Sequence, residues 1–124
     1  MYAETDFLLA LVKDDDWLGD AAEAVYREHA DDLWTSRFTL VELLMVAYRE
    51  DLDAERMVVN AASLLDVRGD ADSVVAAATY VADHGFTPFD ALHLVESDGD
   101  TIVSSDGTYE SFAPRLDLRD VDAE

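Results

Sequence analysis

Between Arg37 and Glu50 the chain reads RFTLVELLMVAYRE, a helix-length stretch that is apolar almost all the way round. A helix with one apolar stripe can lie on a surface, whereas one with apolar residues on every side asks for cover on several. The stretch therefore sets an expectation of a layered fold with this helix at its centre. Ser36 stands in front of it as an N-cap.

The remaining segments fill in the layers. Residues 1–6, MYAETD, read as a short extended first strand ended by Asp6, and DFLLALVK as a helix or a turn into one. From Trp17 to Ala30 apolar residues recur at three- and four-residue intervals, which predicts an amphipathic helix. Asp53 caps a helix to about Leu64, Asp70 or Asp72 opens another that stops near Gly85, and Thr87-Pro88 starts one through Val95. Strands are expected at Leu33–Thr35, Leu64–Val67, Thr101–Ser104 and Leu116–Leu118, with a short helix at Thr108–Phe112. Short strands alternating with amphipathic helices predict an α/β fold, a three-layer sandwich around a central, mostly parallel sheet. At 124 residues, 50% of them hydrophobic, the chain suits a single domain, taken as 1–119, with 120–124 as an acidic tail.

Four acids stand where an acid is hard to explain structurally: Asp6 before LLALV, Glu42 inside TLVELLMVA, Asp90 inside FTPFDALHLV, and Asp106 after TIVSS. An ionised carboxylate in an apolar segment loses several kcal/mol of hydration unless it gains a partner. Only 8 Lys and Arg exist to partner 29 Asp and Glu. In parallel α/β sheets ligands gather beyond the carboxyl ends of strands, and four carboxylates pooled at that edge call for a divalent cation. With no cysteine in the chain, oxygen or imidazole must hold it, which points to Mg²⁺ or Mn²⁺. Three of the acids have a plainer reading: Asp6 as a helix cap, Asp106 as part of an Asp-Gly turn, Asp90 as a charge at a helix N-terminus. Glu42 has none of these. His93, three residues after Asp90, shares its helical face and reads as a packed histidine, a proton relay or a group supporting the site.

The formal charge of −21 contains a single lysine, Lys13. An acid excess combined with an ordered apolar pattern argues against disorder and for adaptation to salt, where a Debye length of about 3 Å at 1 M screens self-repulsion. A halophilic archaeal host is the expectation. No segment approaches the roughly 20 apolar residues of a membrane span, so a soluble, cytoplasmic protein is expected.

The segments Thr5–Leu9, Thr39–Leu43, Phe89–His93 and Ile102–Asp106 together resemble the PIN domain family, in particular VapC-type toxins, in order and over essentially the whole chain. The resemblance implies a metal-dependent endoribonuclease in which Asp6, Glu42, Asp90 and Asp106 hold Mg²⁺ or Mn²⁺, with Glu42 as an acceptor for the attacking water's proton. It implies cleavage of RNA to a 3′-hydroxyl and a 5′-phosphate, a cognate antitoxin as partner, and a homodimer. Many members carry a further acid two residues after the fourth; here that place is Thr108, followed by Tyr109 and then Glu110, a possible substitute.

Charge is the strongest argument on the other side, because nothing in the composition provides the basic footprint of a nucleic-acid binder. Arg37, Arg49, Arg56, Arg68 and Arg115 are candidates for phosphate contacts, with pairing to surface acids as the commoner fate. Two other readings use the same fold: a catalytically inactive protein-binding module and a housekeeping RNA-processing nuclease. A receiver-like phosphoacceptor domain needs a late lysine, and this chain has none.

Overall fold

The computed structural model of the chain describes residues 1–69 and 72–123. Strand β1 (Tyr2–Ala3) leads into α1 (Thr5–Val12) and α2 (Gly19–His29); β2 (Trp34–Ser36) leads into α3 (Arg37–Arg49) and α4 (Ala54–Leu64). Then come β3 (Asp66–Arg68), the helix pair α5 (Asp72–His84) and α6 (Pro88–Ser97), β4 (Ile102–Ser104) and β5 (Arg115–Asp117). Short 3-10 turns at Gly107–Tyr109 and Leu118–Asp120 follow β4 and β5.

The five strands form one sheet in the order β3-β2-β1-β4-β5. Every pairing is parallel, with Tyr2 beside Trp34 on one side and Ile102 on the other. Because successive strand residues face opposite ways, the two-residue β1 feeds two cores. Ala3 and Val103 point into one, filled by Phe7, Leu8, Leu18, Val25, Leu43 and Leu118. Tyr2 and Ile102 point into the other, with Trp34, Phe86, Leu94 and Tyr109. Helices α1 to α4 cover the first face and α5 with α6 the second, which is the expected three-layer α/β sandwich. Each fully buried Phe or Leu contributes roughly 1.5–3 kcal/mol. Among the described residues no helix is long and apolar enough to cross a membrane.

Several local expectations hold at the level of single caps. The Ser36 hydroxyl accepts from Thr39 N, and the Asp53 carboxylate accepts from Arg56 N. Gly85 stops α5 with φ of +68°, a conformation that costs glycine little. Asp70, one of the two residues expected to open α5, lies outside the described residues.

Two expectations change. Asp6 does not end the first strand: β1 stops at Ala3, Glu4 caps α1, and Asp6 sits in the helix's first turn. Helix α3 is not enclosed either. Thr39, Leu43 and Ala47 are buried, but Val41, Leu44, Met45 and Tyr48 are 47%, 47%, 51% and 83% exposed. The helix lies in an outer layer against α1, α4 and α6, and among the described residues its fourth side is left open. Trp17, read as the first apolar residue of α2, precedes that helix and is exposed.

Candidate metal centre

The sheet order places β1 between β2 and β4, the strands reached by the two directions of winding, and a crevice opens at such a reversal beyond the carboxyl ends. The chain leaves β1 through Glu4-Thr5-Asp6 and leaves β4 through Ser105-Asp106. The N-terminal turn of α6 brings Asp90, and α3 brings Glu42 from the first helical layer.

Glu4 stands at the middle of this crevice, and the sequence reading passed over it. It is only 7% exposed, and its Oε1 accepts from Thr5 N at 2.8 Å. The Ser104 hydroxyl lies 3.0 Å from Glu4 Oε2 and 3.2 Å from Asp6 Oδ2, so its one proton serves either. Burial, then the adjacent Asp6 and Glu42 charges, push the Glu4 carboxyl well above the usual carboxylate range. Glu4 directly follows β1 and so occupies the strand's carboxyl end, two residues before Asp6.

The four expected acids can now be placed. Asp6 Oδ2 accepts from Ser105 N at 2.6 Å and from the Ser105 hydroxyl at 2.5 Å, while its Oδ1 is buried with no hydrogen-bond partner among the described residues. Asp90 Oδ1 accepts from the Tyr109 hydroxyl at 3.2 Å. Asp106 caps the 3-10 turn after β4, accepting from Thr108 N at 2.9 Å and from the Thr108 hydroxyl at 2.6 Å. Its own N–H donates to Ser104 Oγ at 2.9 Å. Tyr109 ties these parts together: burial, and then the charges of Glu4, Asp90 and Asp106, hold its phenol protonated far above its ordinary range. Glu110 turns outward into an ion pair with Arg115 at 2.5 Å.

Glu42 has the partner that the sequence did not supply. His93 is fully buried, and its Nε2 lies 2.8 Å from Glu42 Oε1; the Thr5 hydroxyl donates to the same oxygen. Burial works against the Glu42 charge, but the bonds from His93 and Thr5 and the positive charge of Arg49 outweigh it and hold the carboxyl below its usual value. On the other side of the ring, His93 Nδ1 lies 2.8 Å from the Tyr2 hydroxyl. That hydroxyl is also 2.9 Å from Ser36 Oγ and 3.0 Å from Thr39 Oγ1.

The residues fit a divalent cation. Among the described residues no Lys or Arg forms an ion pair with Glu4, Asp6, Glu42, Asp90 or Asp106. At the site Asp6 Oδ1 is buried without a hydrogen-bond partner among the described residues, and donor atoms of Glu4, Glu42 and His93 lie within 4.8 Å of one another. A structural role would leave the two carboxylates of this group repelling each other, which a cation would offset; Asp6, Asp90 and Asp106 do not belong to the group. The arginines are largely spoken for: Arg56 pairs with Asp14, Arg68 with Asp66, and Arg115 with Glu110 and Asp117.

Comparison with solved structures finds the same fold in VapC20 of Mycobacterium tuberculosis, a sarcin–ricin-loop-cleaving toxin, with a TM-score of 0.73 at 19% identity over 89% of this chain and 92% of that one. It is also found in VapBC2 of Rickettsia felis bound to a DNA fragment from its promoter, with a TM-score of 0.71 at 13% identity over 94% and 96%. DNA-bound VapBC from Salmonella typhimurium gives 0.70 at 15% identity over 94% and 96%. No curated protein sequence matches the chain. The PIN domain profile matches residues 1–112, nearly the whole length, and the chain belongs to the PIN domain family.

Proposed function

We propose that the chain is a metal-dependent endoribonuclease that hydrolyses RNA phosphodiester bonds as the toxin of a type II toxin–antitoxin pair. The observation that carries this reading is the gathering of Glu4, Asp6, Glu42, Asp90 and Asp106 at one sheet edge with no Lys or Arg paired to any of them among the described residues. Mg²⁺ or Mn²⁺ bound there would neutralise the carboxylates, offset charge on the scissile phosphate and activate water.

The chain's own residues set the geometry. Ser104 and Ser105 fix Asp6, Tyr109 fixes Asp90, and Thr108 fixes Asp106, so the oxygens are oriented before any ligand arrives. Glu42, expected both to hold the cation and to accept the water's proton, is held ionised by His93 and Thr5 and suits the first role better, so we keep it as a ligand only. Glu4 joins the four acids as a fifth carboxylate of the site.

A protein partner is supported by the uncovered side of α3, whose Val41 adjoins Glu42 in sequence. We assign an antitoxin to it, by analogy with the VapB-bound relatives, and retain a homodimer as the state of the toxin. The acid excess is assigned to a salt-loving host rather than to the site.

The test is cleavage of RNA in high salt with Mn²⁺, Mg²⁺ or EDTA. Activity should require the metal and fall by about 10²-fold or more in Asp90→Asn and Asp106→Asn. Cleavage that persists in EDTA, or at the wild-type rate in both variants, would refute the reading. Mn²⁺ binding without cleavage of any RNA would favour the inactive binding module. A short reading frame beside the gene separates a toxin from a housekeeping nuclease.

A further inference from the structure

His93 is surrounded by more acceptors than it has protons to give. Its Nε2 faces Glu42 Oε1 at 2.8 Å, Glu4 Oε1 at 3.4 Å and the Thr5 hydroxyl oxygen at 3.2 Å. A neutral ring with its proton on Nε2 can satisfy only one of the two carboxylates, and a histidine kept for packing needs just one partner.

The other ring nitrogen is served by a group that works in both directions. Tyr2 can donate its hydroxyl proton to Nδ1 or accept one from it, because Ser36 Oγ and Thr39 Oγ1 stand within 3.0 Å to take the phenol proton instead. A hydroxyl that donates or accepts permits either tautomer of the imidazole. With the proton on Nδ1, the Nε2 lone pair is free on the side where Glu42 Oε1 lies at 2.8 Å and Glu4 Oε1 at 3.4 Å, and the three atoms lie within 4.8 Å of one another. Metal-bound histidines commonly have the second ring nitrogen donating to an oxygen in this way.

We propose that His93 is a direct ligand of the divalent cation through Nε2, completing a mixed nitrogen–oxygen set with Glu4 and Glu42, and that Tyr2 switches its hydroxyl from donor to acceptor to allow it. Coordination through Nε2 places the ring proton on Nδ1, where the Tyr2 hydroxyl accepts it. This inference rests on the metal-dependent reading above and adds a consequence of its own: an imidazole ligand favours Mn²⁺ over Mg²⁺, which prefers an all-oxygen shell.

The measurement is pulsed electron paramagnetic resonance of Mn²⁺ bound to the full chain in which His29 and His84 are replaced by Gln, leaving His93 as the only imidazole of the three histidines. A directly coordinated ¹⁴N coupling is expected. Mn²⁺ should bind at least about tenfold tighter than Mg²⁺, and Tyr2→Phe should weaken Mn²⁺ by roughly 10- to 100-fold. Bound Mn²⁺ with no nitrogen coupling would overturn the proposal and leave the carboxylate-held metal standing. No Mn²⁺ binding at all would overturn both. An unchanged affinity in a folded Tyr2→Phe would overturn the tautomer switch.

Discussion

Replacing Glu4 by Gln should change how the stability of the metal-free protein depends on pH, and the surroundings of Glu4 determine the sign. In the unfolded chain this carboxyl titrates near its ordinary value of about 4.3. In the folded chain burial, with Asp6 and Glu42 beside it, moves the titration well upward. Between those values the folded state holds a proton that the unfolded state lacks. The associated stability is complete below the unfolded value and is lost as pH rises through the folded one, with a limiting slope of about 1.4 kcal/mol per pH unit. Once Glu4 ionises, a like charge about 4 Å away repels it by about 4 kcal/mol at an effective dielectric constant of 20. Gln removes both the proton and the charge, and its amide oxygen can keep the 2.8 Å bond from Thr5 N. The altered contact with Ser104 costs about 1 kcal/mol. The variant should therefore match the wild type within about 1 kcal/mol in mild acid and exceed it by about 1–3 kcal/mol on the alkaline side. Urea unfolding in EDTA at fixed high salt, from about pH 5 to about pH 9, measures this. Glu42 provides the opposite case, because its lowered carboxyl contributes stability above its unfolded value that is lost only as pH falls through the folded one. Parallel stability profiles for wild type and Glu4→Gln would refute the account of Glu4.

Three further outcomes are expected. Tyr109→Phe deletes the hydroxyl that positions Asp90, and because Asp90 is half-buried and water can replace the bond, stability should fall by only about 1 kcal/mol while metal affinity, read by calorimetry, falls more, by about tenfold. Leu44→Glu and Tyr48→Glu on the open side of α3 should leave the melting temperature nearly unchanged, within about 0.5 kcal/mol, yet prevent co-purification with the partner. Raising salt from about 0.1 M to about 1 M should raise the melting temperature of the metal-free chain, because the Debye length falls from about 10 Å to about 3 Å; a flat response would mean that its 21 surplus charges are not what limits stability.

The layers were readable because each rests on a local rule: Ser36 and Asp53 cap, Gly85 stops a helix, and Pro88 starts one. Strand ends moved by one to three residues, since strands of two or three residues carry too little periodicity to locate an edge. Glu4 was missed for the same reason. With β1 only two residues long, nothing local says whether Glu4 or Asp6 stands at its carboxyl end, and only the pairing of Ala3 with Val103 decides. The match of Glu42 with His93 spans 51 residues, and a partner that distant is set by tertiary packing alone. Helix α3 misled for a different reason: an apolar surface looks the same in a sequence whether the chain itself or another molecule covers it.

That uncovered side has a colloidal consequence. In dilute salt the net charge of −21 holds copies of the chain apart, so an apolar row on α3 carries little risk of clumping. Salt concentrated enough to relax the acid-rich fold also removes that repulsion, and the row formed by Val41, Leu44, Met45 and Tyr48 then becomes adhesive. The conditions that steady this molecule are the ones in which it most needs company.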